Sequence, residues 1–396
     1  MISKPQKMFC GFFVFTIQHN KGVTGMKPKQ MSLTKYGWNE HWQGHMDKIQ
    51  DQHKPLVPAR VTAQFSKQYR IITETGERTA AVTGKYEFEA TSRADFPAVG
   101  DWVLVELLQG EPRAVIHRLL PRLSAMTRRE AGSIPDEQVI AANTDTIFIV
   151  SALNQDFNVR KIERYLISIW ESGAQPVVLL TKADLCDEPE DYVSKVSSSA
   201  PGVPVHVVSS VQDQGKEAIT PYLVPGRTVA VTGSSGAGKS TLLNWLAGHE
   251  VQRVQGIREE DARGRHTTTH REMFLLPEGA IMIDTPGMRE LQLWDSAGGW
   301  EETFSDVEEL ARDCRFHDCR HESETGCAVQ QALREGALDQ GRFANYKKTE
   351  RELAYIARKE RSTARRQKEN ARAHSYKSRR DRNTANSSSK NGYDYD

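Results

Sequence analysis

Cysteine is scarce in this 396-residue chain, a membrane-length apolar run is missing, and the charges nearly cancel. Five cysteines, an odd number in a chain this long, argue against a disulfide framework. Three of them, Cys314, Cys319 and Cys327, fall within fourteen residues and beside histidines, which points to a metal instead. Cys10 and Cys186 stand alone. No stretch approaches the roughly 18–20 apolar residues of a membrane span, so no membrane partner is expected. The nearest candidate is MFCGFFVFTI at residues 8–17, behind Lys4 and Lys7, which looks like a short signal-peptide core. No small-x-small cleavage site follows it; Gln18, His19, Asn20 and Lys21 come next. The plain reading is an irregular extension upstream of a start at Met26 or Met31.

Lys and Arg number 53 and Asp and Glu 52, a formal charge of +1. Taken whole, this excludes a uniformly basic nucleic-acid binder. The average hides a split, because residues 347–382 hold 14 basic and five acidic side chains, a local +9 that leaves −8 on the rest. A basic tail rides on an acidic body. Such a tail suits phosphate contacts, with a solvated, solubilising segment as the alternative.

What is present divides the chain. At roughly 100–200 residues per domain, the length suggests two to four domains. Hydrophobic residues reach 38% and charged ones 27%, enough for packed cores under a heavily charged surface. Residues 1–57 lack periodicity and are expected to be an extended or disordered extension. Over 58–125, the runs RVTAQF, YRIITE, RTAAVTG, DWVLVEL and AVIHRLL are separated by Gly and Pro. They predict a five-stranded antiparallel barrel, compatible with an OB-fold or with an SH3-like barrel. From Asp145, apolar runs ending in polar or Gly-rich turns alternate with helical patterns such as residues 159–173, where Ile162, Leu166, Ile169 and Trp170 share a face. That alternation predicts an α/β domain over 126–300 with a parallel sheet, functional groups lying at the strands' carboxyl ends. Residues 301–357 read as a helical module around the Cys/His cluster, with Phe343, Tyr346, Leu353 and Ala357 on one stripe. Residues 358–396 read as a disordered basic tail.

Gly233-Ser234-Ser235-Gly236-Ala237-Gly238-Lys239-Ser240 matches G-x-x-x-x-G-K-[ST] at every fixed position and lies between a predicted strand and a helix opening at Thr241. The glycines let backbone N–H groups turn towards phosphates at a helix N-terminus. Lys239 is expected to reach the β- and γ-phosphates and Ser240 to ligate Mg²⁺. Some 45 residues on, Asp284-Thr285-Pro286-Gly287 ends another strand. There Asp284 is expected to hold Mg²⁺ through water and the Gly287 N–H to sense the γ-phosphate. Thr181-Lys182-Ala183-Asp184 resembles the N-K-x-D guanine motif with Thr in first place, a change expected to weaken the contact an Asn side chain makes. The Asp184 carboxylate can accept from N1–H and the N2 amine of guanine, donors that adenine does not offer in that arrangement. Lys182 is expected along the base plane, and Ser209 and Ser210 to supply backbone contacts.

The order is unusual, since base motifs precede the phosphate loop, which precedes D-x-x-G. Cyclic order is kept and the start point has moved, as in a circular permutation. Between phosphate loop and D-x-x-G lies RGRHTTTH (263–270). Thr268 is the candidate to complete Mg²⁺ coordination over the γ-phosphate. Met288 follows Gly287 where Ras-like enzymes orient water with Gln, and Met cannot. Either a partner completes the site or another group does; His266 is a candidate, with a plain basic neighbour of the loop as the alternative. Cys314, Cys319, His321 and Cys327 offer three thiolates and an imidazole, a closed set suited to structural Zn²⁺, with His317 a competing ligand.

Barrel, TKAD, SS, GSSGAGKS, GRHTTTH, DTPG and CRFHDCRHESETGCAV, in that order over about residues 58–360, resemble the circularly permuted ribosome small subunit-dependent GTPase A (RsgA, YjeQ-like) family. The resemblance implies an OB-fold, a permuted P-loop GTPase and a zinc domain. It implies GTP binding by residues 181–184 and 233–241, one structural Zn²⁺, and Mg²⁺ with GTP. It also implies hydrolysis of GTP to GDP and phosphate, stimulated by the 30S subunit during its late maturation, with binding to 16S rRNA. Met288 in place of Gln is like the family; Thr181 and the long N-terminal extension depart from it. A cytoplasmic monomer is expected. The rivals are a nucleotide-gated RNA-binding scaffold and an ATP-using P-loop enzyme.

Overall fold

The computed structural model describes residues 31–49, 55–129, 137–251, 271–284, 297–359, 361, 362 and 365. A 3-10 turn (Leu33–Tyr36) and helix α1 (Glu40–Ile49) come first. They correct the expectation of a disordered extension, as far as residues 31–49 are concerned. Leu33 and Trp42 are buried against Ile72, Trp102, Leu104 and Leu120 of the following domain, and Trp38 meets Trp102 edge-on with ring centroids 4.8 Å apart. Two widely spaced apolar anchors leave no periodic trace; their burial depends on a surface made elsewhere in the chain. The run 8–17 lies outside the described residues.

Five strands then close a barrel: β1 (Val57–Phe65), β2 (Gln68–Thr73), β3 (Gly76–Val82), β4 (Trp102–Leu107) and β5 (Arg113–Leu119), with a short helix α2 (Gly84–Glu89) after β3. The order is β1-β2-β3-β5-β4 with β4 returning to β1; β3 and β5 run parallel and the other pairs antiparallel. Alternation puts Ala59, Val61 and Ala63 inside with Tyr69, Ile71, Val103, Val105 and Ile116, each large aliphatic side chain contributing roughly 1.5–3 kcal/mol on burial. A register shift between Val61 and Ala63 bends β1, as an extra residue in a ladder does. The closure and strand order are OB-like.

A two-stranded hairpin, β6 (Ala125–Arg129) with β7 (Glu137–Ala142), leads into the α/β domain. That domain holds β8 (Thr146–Ala152), α3 (Val159–Ser172), β9 (Gln175–Thr181), α4 (Pro189–Ser199), β10 (Val205–Val207), α5 (Lys216–Ile219), β11 (Thr228–Gly233), α6 (Lys239–Ala247), β12 (Arg271–Leu275) and β13 (Ile281–Asp284). In space the strands run β10-β9-β8-β11-β13-β12. β8 leads outward to β9 and β10, and β11 leads the other way. The reversal lies between β8 and β11, and a crevice at such a point is where open α/β sheets bind ligands. The last strand, β12, is antiparallel to β13 and also pairs with β1, Ala63 facing Glu272 and Gln64 facing Arg271. Barrel and α/β sheet are therefore one continuous hydrogen-bonded ladder.

The C-terminal module comprises α7 (Ala297–Thr303), α8 (Ser305–Arg312), α9 (Ala328–Glu335) and a long helix α10 over residues 340–359. Its core is Phe304, Val307, Val329, Leu338 and Tyr346, joined by Ile167 from α3. α3 thus has two buried faces. Ile162, Leu166 and Ile169 meet the sheet as the periodicity predicts, while Glu163 and Ile167 are buried too. Of the segment 358–396 expected to be disordered, the described residues 358, 359, 361, 362 and 365 are helical; the rest lies outside the described residues.

Candidate nucleotide site and metal centre

β11 is buried along its whole length and delivers the phosphate loop to the crevice beside β8. Gly233 has φ 143°, and a Cβ there would stand 2.2 Å from the Val150 carbonyl oxygen of β8, so no side chain fits. Gly238, at φ 90°, opens α6, and left-handed backbone at that point favours glycine. Ser235 and Gly236 are exposed and Ala237 is buried. The Lys239 ammonium folds into the loop and donates to the carbonyls of Gly233 (2.8 Å) and Ser234 (2.7 Å). Thr241 continues the first turn of α6.

β9 brings the base motif to the same edge of the sheet. The Thr181 hydroxyl donates to the Ala237 carbonyl at 2.6 Å. Thr in first place was expected to weaken the contact of that position; here the shorter side chain ties the base motif to the phosphate loop directly. Lys182 then takes a left-handed conformation, φ 59°, which turns the chain into a 3-10 turn over Ala183–Leu185. Asp184 accepts a hydrogen bond from the Ser209 hydroxyl at 2.6 Å. Ser209 is fully buried after β10 and is fixed by a two-way backbone bridge with Gln214; Ser210 is half-buried beside it. Neither the Thr181–Ala237 nor the Ser209–Asp184 bond has a local signal in sequence.

Asp284 closes β13, one position beyond Ile283, which faces Ala230 of β11. The four strand-end motifs, Thr181–Asp184, Ser209–Ser210, Gly233–Ser240 and Asp284, thus follow the carboxyl ends of β9, β10, β11 and β13, with β8 between β9 and β11. His266, Thr268, Gly287 and Met288 lie outside the described residues.

In the C-terminal module, one ligand atom each from Cys314, Cys319, His321 and Cys327 lies within 4.8 Å of all the others. Cys314 Sγ is 3.5 Å from His321 Nδ1 and 3.8 Å from Cys327 Sγ, and Cys327 Sγ is 3.4 Å from His321 Nδ1. A tetrahedron with Zn–S of about 2.3 Å and Zn–N of about 2.0–2.1 Å has edges of roughly 3.8 Å (S···S) and 3.5 Å (S···N). The donor set therefore fits one Zn²⁺ with every position filled by protein. His317 is exposed and outside this group. Burial raises the Cys314 thiol, but the Val329 and Ala328 N–H groups at the start of α9 and the neighbouring Cys327 and Cys319 outweigh it, so it lies below its ordinary value. Burial, and then Lys347, hold His321 below its ordinary value, which keeps a neutral imidazole for a metal. Gln330 steadies the centre twice: its side chain donates to the His321 carbonyl (2.6 Å) and its N–H to the Cys327 sulfur (3.4 Å).

Known proteins resemble the chain at each of these levels. The RsgA GTPase family model matches residues 119–294. An ABC transporter model matches residues 217–386, a stretch that includes the phosphate loop but neither Thr181–Asp184 nor Ser209–Ser210. The structure is similar to the crystal structure of YjeQ from Thermotoga maritima, with a TM-score of 0.57 and 25% identity over 76% of this chain and 99% of that one. It also shares its fold with YloQ, described as a circularly permuted GTPase, with a TM-score of 0.56 and 23% identity over 78% of this chain and 99% of that one. A small ribosomal subunit biogenesis GTPase RsgA from Opitutus terrae is 45% identical over 338 residues, 83% of this chain and 92% of the relative. The RsgA 1 protein of Listeria innocua is 44% identical over 337 residues, 85% and 94% of the two chains. Identity of this depth, sustained along most of both chains, shows that the chain belongs to the RsgA family of circularly permuted GTPases.

Proposed function

We propose that this protein hydrolyses GTP to GDP and phosphate while assisting late maturation of the small (30S) ribosomal subunit in the cytoplasm, as a monomer that docks on 16S rRNA. Two bonds support the nucleotide assignment: Thr181 to Ala237 ties the base motif to the phosphate loop, and Ser209 to Asp184 ties the two base motifs to each other. Guanine donates N1–H and its N2 amine to the Asp184 carboxylate, which the Ser209 hydroxyl holds in orientation. Lys182 lies along the base plane, and the backbone of Ala183, Ser209 and Ser210 lines it. The backbone N–H groups of Ser234–Thr241 surround the phosphates, and Lys239 exchanges its two carbonyl partners for β- and γ-phosphate oxygens. Ser240 and Asp284 are hard oxygen donors of the kind Mg²⁺ takes, and such an ion would supply charge neutralisation at the phosphates. Thr268 and the Gly287 N–H serve the γ-phosphate. Met288 cannot orient water by hydrogen bonding, so water is placed by His266 or by a group completed on the ribosomal subunit, which makes unassisted turnover slow. Zn²⁺ on Cys314, Cys319, His321 and Cys327 is structural. The barrel (58–125), the permuted GTPase (126–300), the zinc module (301–357) and the basic tail (358–396) divide nucleotide chemistry from RNA docking.

The test is GTP turnover by the full chain with and without purified 30S subunits, Lys239→Ala serving as the inactive control. Stimulation is expected. Docking on 30S without any change in turnover would replace the enzyme reading by that of a nucleotide-gated RNA-binding scaffold.

A further inference from the structure

Between the first two metal ligands, Cys314 and Cys319, the chain makes a short turn of Arg315, Phe316, His317 and Asp318. The turn is pinned along its length. The Arg315 N–H donates to the Gly326 carbonyl (3.1 Å) and the Cys319 N–H to the Phe316 carbonyl (3.2 Å). Gly326, at φ 78°, packs so closely beneath it that a Cβ there would stand 3.0 Å from the Cβ of Arg315. On this anchored turn Phe316 is 44% exposed, and the Arg315 guanidinium lies 5.5 Å from the centre of its ring. Arg312, Arg315, His317 and Arg320 are exposed around it. Among the described residues the guanidiniums of Arg312, Arg315 and Arg320 enter no ion pair or hydrogen bond, whereas Arg60, Arg122 and Arg342 in the protein's interior are fully engaged. Three carboxylates, Asp313, Asp318 and Glu322, share the surface.

We propose that this turn is a stacking platform for an unpaired nucleobase of an RNA strand, Phe316 taking the base face and Arg315, Arg312 and Arg320 the flanking phosphates. The inference rests on the reading of ribosomal RNA as the partner and assigns it a contact. An aromatic ring with a guanidinium beside it is the pair that single-stranded RNA binders present, because every base has a π-face and every nucleotide a phosphate. Arginine serves both faces, stacking as a plane and bridging phosphate oxygens as a fork. Duplex RNA hides its base faces, so the site selects loops, bulges and ends. Metal ligands on either side hold the ring in place before binding, which removes part of the ordering cost that a flexible loop carries.

The experiment compares full-length wild type, Phe316→Ala, Phe316→Trp and the double variant Arg315→Ala/Arg320→Ala for binding to purified 30S subunits, with zinc content and unassisted GTP turnover measured on each. Phe316→Ala is expected to weaken binding about tenfold, within the range that base–aromatic stacking supplies, with zinc and unassisted turnover unchanged. Phe316→Trp is expected to bind within about twofold of wild type, since a larger ring stacks as well. The double variant is expected to make the slope of log K against log salt shallower by about 1–2. Phe316→Ala binding like wild type, Phe316→Trp falling as far as Phe316→Ala, an unchanged salt slope, or photocrosslinks from position 316 to a ribosomal protein and not to RNA would each overturn the proposal. Absence of 30S binding by wild type would overturn the ribosomal reading itself, whereas tight wild-type binding that Phe316→Ala leaves intact removes only this contact.

Discussion

Thr181 ties the base motif to the phosphate loop with a single hydroxyl. Its bond to the Ala237 carbonyl spans 56 residues of sequence, and Ala237 is buried, so the acceptor has no ready water to replace it. Thr181→Val keeps the shape and removes the donor. A buried carbonyl left unsatisfied costs about 1–3 kcal/mol, an upper bound on the affinity lost because the bond is also made without nucleotide, so nucleotide affinity should fall by at most about 150-fold. Titration with a fluorescent GDP analogue reads this, and Thr181→Ser should restore most of it. Preference for guanine over other bases should stay unchanged in the Val variant, because the hydroxyl touches the loop and not the base. Asp184→Asn should behave in the opposite way. It turns one acceptor into a donor, and the measured preference should move from GTP towards xanthosine triphosphate, whose ring presents a carbonyl where guanine has its amine. The motif residues were legible in sequence because their chemistry repeats at fixed spacing. Their mutual bonds were not, since each joins residues brought together only by the sheet.

At the scale of elements, α3 is the piece on which two domains meet. The Arg342 side chain, from α10, donates to Glu163 of α3 (2.6 Å), to Asp306 (2.7 and 3.1 Å) and to the Thr303 carbonyl (2.7 Å), and lies over the Phe304 ring with its guanidinium carbon 4.4 Å from the centroid. Burial would lower its pKa, but Asp306 and Glu163 outweigh burial and hold it charged, above its ordinary value. Arg342→Met strands the Glu163 carboxylate, which is 3% exposed. Breaking a buried pair from one side costs about 3–5 kcal/mol. The expected result is faster hydrogen exchange over residues 297–312 and 340–359, with exchange in the barrel unchanged. Gly299 sits where α7 crosses α3, and a Cβ there would stand 2.1 Å from the Ile167 carbonyl oxygen. Gly299→Ala must therefore push the helices apart, at about 1–3 kcal/mol for overpacking, and should raise exchange in the same segments. Sequence periodicity found the sheet-facing stripe of α3 and missed its other face. A charged residue such as Glu163 reads as solvent-facing until its arginine, 179 residues later, is folded against it.

For the whole molecule, the Cys/His centre and the candidate nucleotide site lie in separate cores, one built on Phe304, Val329 and Tyr346 and the other on the α/β strands. Removing the Zn²⁺ proposed for Cys314, Cys319, His321 and Cys327 with a chelator should unfold the module while leaving the sheet in place. Circular dichroism should lose helix signal, and nucleotide affinity should stay within about threefold; a parallel collapse of affinity would mean that the two cores stand or fall together. Domain order and the permutation were readable because motif order survives in the linear chain. The hairpin β6–β7 and the ladder from β12 to β1 were not, the first because its strands are short, the second because it joins distant segments.

That ladder also has a date in the life of the chain. Ala63 and Gln64 are made about 200 residues before their partners Glu272 and Arg271. At roughly 5–20 residues per second of synthesis, the end of β1 at Ala63 and Gln64 waits on the order of 10–40 s for its β12 partner. Unpaired strand edges recruit other strands. During each round of translation the closed barrel thus carries a short open edge at Ala63 and Gln64, exposed to the neighbouring nascent chain on the same message until β12 pairs with it.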